Sequence, residues 1–123
     1  MATHFRDMTG LNPYNLPAVE RARAEFAALA RAVAERQSDL IEGARRLCPL
    51  GYALGIPADD PDFRTLVGFD SETDALPVGS ARENWAPHAL LAKDAAIREV
   101  ETRWGEDVRA ACARLADLVL RAT

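Results

Sequence analysis

Residues 87–121 read PHALLAKDAAIREVETRWGEDVRAACARLADLVLR, and their spacing decides the fold class. Leu90, Ile97, Val100, Trp104, Val108, Ala111, Cys112, Leu115, Leu118 and Val119 recur mostly at steps of three, four and seven. Such spacing puts the apolar side chains on one face of a helix. The seven-residue steps Leu90–Ile97–Trp104 suit a seam against another long helix. Gly105 costs about 1 kcal/mol relative to alanine and is the point where this rod would kink or split.

Upstream, residues 17–48 repeat the pattern through Phe26, Leu29, Ala30, Val33, Leu40, Ile41, Ala44 and Leu47. Asn15 is placed to cap the start, with Pro17 tolerated in the first turn, and Pro49 with Gly51 would stop the helix. A single helix over 17–48 is a rod of roughly 48 Å. Residues 1–15, broken by Gly10 and Pro13, read as an extended arm. Between the rods lies a connector, 49–86, too long to be structureless in a compact domain. Asp60-Pro61-Asp62 predicts a short helix through about Val67. The expected fold is therefore all-α, a single helical domain over 1–123. Two long antiparallel helices, 17–48 and 87–121, are joined by a partly structured connector. Each rod has a stripe to cover, so the pattern points to a bundle completed by dimerisation or, as the competing reading, to a monomer whose connector packs over the rods as a lid through Tyr52, Leu54, Ile56, Phe63, Leu66, Val67 and Phe69.

Composition narrows the function classes. The chain has 123 residues, 15 basic against 19 acidic, and a net charge of −4. That leaves no basic field for a nucleic-acid backbone. Its longest apolar run, residues 26–30, is far short of the roughly 20 residues that cross a bilayer. The opening residues lack the basic start and apolar core of a secretory signal. Two cysteines, Cys48 and Cys112, are too few for a disulfide framework, so a cytoplasmic location is expected. Fourteen arginines against one lysine, with 24 alanines, read as the base bias of a GC-rich bacterial genome.

The charge is not evenly spread. The arm and the second rod are neutral and the first rod is +1, whereas the connector carries Asp59, Asp60, Asp62, Asp70, Glu72, Asp74 and Glu83 against Arg64 and Arg82. The whole imbalance sits there, which makes the connector the candidate docking segment. Within it, Asp70, Glu72 and Asp74 alternate; in an extended strand all three carboxylates would face one way, a set of hard oxygens suited to Mg²⁺ or Ca²⁺. An EF-hand loop fails, because Ala75 stands where the turn glycine belongs and Ala81 where the closing glutamate belongs. The simpler reading, which takes precedence, is that Asp70 or Ser71 caps a turn while the other carboxylates are solvated surface. Arg82 is expected to pair with Asp70 or Asp74, or to stack on Trp85, or to hold an anionic ligand beside the second rod's N-terminus.

Catalytic patterns are weak. On one helix His88 and Cys112 stand roughly 36 Å apart and cannot form a dyad. Glu35, Asp39 and Glu42 would share a face of the first rod, but no matching set stands on the second. The glycines of Leu50-Gly51-Tyr52-Ala53-Leu54-Gly55 lack the lysine and serine of a P-loop. The sequence thus reads first as a non-enzymatic helical interaction protein whose acidic connector, through Asp70, Glu72, Asp74, Arg82 and Trp85, meets a basic protein partner. A metal- or ligand-binding enzyme using the same segment, and a bare homodimerisation scaffold, are the alternatives. No cofactor is expected.

Overall fold

A computed structural model describes residues 11–121, so the first ten residues of the expected arm lie outside the described residues. The elements are α1 (Leu16–Ala34), α2 (Leu40–Ala53), α3 (Pro61–Thr73), a short 3-10 helix (Gly79–Asn84) and α4 (Pro87–Arg121). Among the described residues there is no strand, and no helix is long and apolar enough to cross a membrane.

The start signals behave as read. The Asn15 side chain accepts the Ala18 N–H at 3.2 Å, and Asp60 accepts from Asp62 and Phe63 at 3.0 and 2.9 Å. The expected rod over 17–48, however, is two helices. A second start signal sits inside it: Asp39 caps α2 by accepting the Glu42 N–H at 3.0 Å, with Glu42 itself in the first turn. Upstream, α1 ends in a Schellman motif. Gln37 N–H bonds the Ala32 carbonyl and Arg36 N–H bonds the Val33 carbonyl, with Arg36 in the left-handed region at φ 63°. Glycine usually fills that position, and a side chain there costs about 1–2 kcal/mol. Glu35, Asp39 and Glu42 are therefore a helix end, a cap and a first-turn residue, not one acidic face.

Nor do Pro49 and Gly51 stop the helix. Both lie inside α2, where burial of Leu47, Cys48 and Gly51 against neighbouring helices outweighs the roughly 3 kcal/mol proline penalty. Gly51 is a crossing point: a Cβ there would come 2.5 Å from the Phe63 ring and 3.3 Å from that of Phe26. Helix α3 runs six residues past Val67, because Phe63, Leu66, Phe69 and Thr73 continue a buried face. Gly105 breaks nothing; α4 is continuous for 35 residues, about 52 Å.

Pairing of the helices follows from their contacts. Gly43 meets Val33 and Gly51 meets Phe26, so α2 runs antiparallel to α1. Arg45 reaches the Thr73 carbonyl and Gly51 meets Phe63, so α3 runs antiparallel to α2. Asp62 binds Arg114 while Glu72 meets Arg103, and Arg23 lies by Leu118 and Val119 while Arg36, just past α1, lies by Glu101 and Thr102, so α4 is antiparallel to both α3 and α1. The result is an up-down-up-down four-helix bundle within one chain. Dimerisation is not needed to supply its third and fourth helices. Its core holds Phe26, Ile41, Leu47, Phe63, Leu66, Phe69, Val108 and Leu115, all fully buried. The apolar residues of the connector do pack inward: Phe63, Leu66 and Phe69 are core, and Tyr52 meets Phe63 edge-on at 5.1 Å.

Candidate functional site

Helix α3 and the turn leading into α4 carry the residues singled out from the sequence, but they do not form one site. Asp70, Glu72 and Asp74 are helical or helix-terminal rather than extended. At about 100° per residue, Glu72 points away from Asp70 and Asp74, so the three carboxylates do not converge. Among the described residues no three His, Cys, Asp or Glu side chains are grouped to hold a metal ion.

Each has its own surroundings. Asp70 is half-buried beside α2, and burial raises its pKa above the usual carboxylate range; the charge of Arg45 and a hydrogen bond from the Cys48 thiol act the other way. Arg45 also donates to the carbonyls of Thr73 and Leu76, the latter at 2.9 Å, which ties the end of α3 to α2. Glu72 faces α4 and lies 3.5 Å from Arg103. Asp74 is exposed at the C-cap.

Arg82 pairs with neither Asp70 nor Asp74. It forks onto Asp94 of α4 at 2.6 and 3.0 Å, with a longer bond to the Pro77 carbonyl at 3.4 Å. That hydrogen bonding holds the Asp94 carboxyl below its ordinary range. Trp85 is 36% exposed and takes the Lys93 ammonium 5.4 Å from its ring centroid, in place of the Arg82 stacking expected from the sequence. Arg82 and Trp85 thus fasten the turn to the first part of α4.

The thiols are poor nucleophiles. Cys48 and Cys112 are buried, and burial is the largest influence pushing each up to about 12. His88 stands exposed at the start of α4, at the other end of the continuous helix from the core around Cys112.

Sequence reasoning missed the concave surfaces, which are assembled from the ends of several helices. One is an apolar cleft of about 410 Å³ lined by Leu11, Pro13, Leu16, Val19, Ala53 and Leu54, with Glu20 and Arg23 at its rim. Tyr14 is 85% and Leu16 67% exposed at the same place, a large apolar area to leave in water. The signal available was the apolar run from Leu50 to Ile56, read only as packing. No curated protein and no solved structure matches the chain. Residues 17–115 do match a family described as protein of unknown function (DUF2489), so from the N-terminal turn of α1 to the last third of α4 the chain is that family's domain, and it belongs to DUF2489.

Proposed function

We propose that the chain is a non-enzymatic interaction module that associates with a second copy of itself through the apolar cleft at the start of α1. The observation that carries this is the coincidence of projection and hollow on one surface: Tyr14 and Leu16 stand out beside the cleft that Leu11, Val19 and Leu54 line. A two-fold interface uses one patch on both protomers, so it requires that kind of self-complementarity. The rim charges satisfy the same condition. Glu20 and Arg23 are one turn apart, neither has an ion pair among the described residues, and a two-fold axis between them sets each against its opposite on the other copy. Two buried, weakly acidic thiols fit a module that binds rather than turns over substrate.

Light scattering across a concentration series tests this. The wild type is expected to approach twice its 13.4 kDa chain mass. Glu20→Arg and Arg23→Glu are each expected to shift it toward the monomer, and the double swap to restore the dimer. A wild type that stays at the single-chain mass at high concentration, or a double swap no better than either single variant, overturns the reading.

A second reading keeps the acidic connector as a docking face for a basic partner. Its support is that Asp59, Asp74 and Glu83 are exposed and carry no ion pair among the described residues, whereas Asp62 and Glu72 are engaged with arginines of α4. Affinity for a lysine-rich peptide is expected to fall with added salt and to be lost in Asp59→Asn/Asp74→Asn/Glu83→Gln, with the melting temperature little changed. Retained affinity in the triple variant would remove this reading.

A further inference from the structure

Three arginines from two elements meet at a polar cleft of about 370 Å³, where the turn between α1 and α2 faces the middle of α4. We propose that this cleft binds a phosphate-class oxyanion through Arg36, Arg98 and Arg109. Glu101, Thr102 and Glu106 complete its lining. Among the described residues none of the three guanidiniums is hydrogen-bonded to a carboxylate. Arg98 acts on Asp94 and Arg109 on Glu101 through their charge, and among the described residues Arg36 has no side-chain partner.

Two backbone features fit the cleft. Arg36 occupies the left-handed position of the Schellman motif, where glycine would serve the fold better. A side chain kept at a strained position is a pointer to function. Gly105 interrupts the side chains of a 35-residue helix, and the atoms a Cβ would meet there are those of the Arg109 guanidinium, the nearest at 2.9 Å. The missing side chain lets Arg109 lie back along α4 toward the cleft. One helix thus gives up a side chain, and one turn gives up a glycine, at the two places that set guanidiniums around the same hollow.

The lining also indicates what the ligand is. Glu101 and Glu106 stand among the arginines, and Asp39 acts on Glu101 from the α2 start, so a singly charged anion gains little against them. A doubly charged oxyanion with three acceptor oxygens can engage all three guanidiniums at once. The Thr102 hydroxyl already donates to the Arg98 carbonyl at 2.8 Å, which leaves the arginines as the donors.

Thermal unfolding and calorimetric titration of the full chain, at constant ionic strength set with chloride, test the site independently of self-association. Inorganic phosphate is expected to raise the melting temperature saturably in the wild type. Arg36→Gly is expected to raise the melting temperature without phosphate by roughly 4 °C, and to weaken phosphate binding about tenfold or more. Arg109→Gln should weaken binding likewise. A phosphomonoester binding more tightly than phosphate assigns the site to a phosphorylated small molecule, and the reverse order to the free ion. No saturable response beyond chloride in the wild type, an unaltered response in Arg36→Gly, or a lowered melting temperature in that variant without phosphate would each overturn the proposal.

Discussion

Phe63→Ala is expected to destabilise the bundle by about 3–5 kcal/mol, read by urea or thermal unfolding. The ring is fully buried, touches Tyr52 edge-on, and fills the space that Gly51 leaves open between α2 and α3. Removing it deletes buried apolar surface from a place where two backbones already approach closely, so the helices have little room to collapse into the void. The converse substitution isolates the cause. Gly51→Ala is expected to cost about 1–3 kcal/mol in the wild type, because its Cβ would stand 2.5 Å from that ring. In the Phe63→Ala background the same methyl enters a cavity, and its cost should shrink or reverse. Equal costs in both backgrounds would show that Gly51 is not the place where the rings meet.

Arg45→Met is expected to cost about 2–4 kcal/mol, since it removes two charge-assisted bonds to the end of α3 and leaves Asp70 half-buried without its cation. The pH dependence gives a sharper test than the magnitude. Asp70 has its folded pKa raised above its unfolded value, so the fold disfavours the ionised form. That penalty is present at pH above the folded pKa and is relieved as pH falls through it. Without Arg45 the pKa rises further, so the deficit of Arg45→Met is expected to narrow on going from neutral to mildly acid solution. Asp70→Asn removes the ionisation altogether. The double variant should therefore recover part of the loss at neutral pH, and a strictly additive result would show that the two side chains do not act on one another.

Much of the architecture could be read from local signals. The stripe from Leu90 to Val119 is one uninterrupted helix because its period never changes, and Asn15 and Asp60 cap because an oxygen side chain precedes a proline-led first turn. The split of the first rod was also written locally, in Asp39 and Glu42. It was hidden because Val33, Leu40 and Ile41 keep facing the same core across the turn. Pro49 and Gly51 misled for the opposite reason: the buried face of α2 carries the helix through both, and the meaning of Gly51 is tertiary, set by rings contributed by α1 and α3. Asp70, Glu72 and Asp74 suggested a strand by alternation, yet the burial of Leu66, Phe69 and Thr73 at three- and four-residue steps selects a helix. Of the candidate site, the sequence showed the charged groups but not their company. Asp94, the partner of Arg82, lies on a different element, and the clefts exist only once helix ends are brought together.

The length of α4 has one more consequence. Its fully buried residues begin at Val100, so the thirteen positions before it extend beyond the part gripped on two sides. That forward segment is moored by a single forked ion pair, an aromatic ring and the half-buried Ile97 near its base, with no fully buried side chain of its own. Its amide protons can therefore trade with solvent by fraying from the tip, with the four-helix interior still closed, so the chain has two levels of cooperativity: a spar that opens readily and a hull that opens only as a whole.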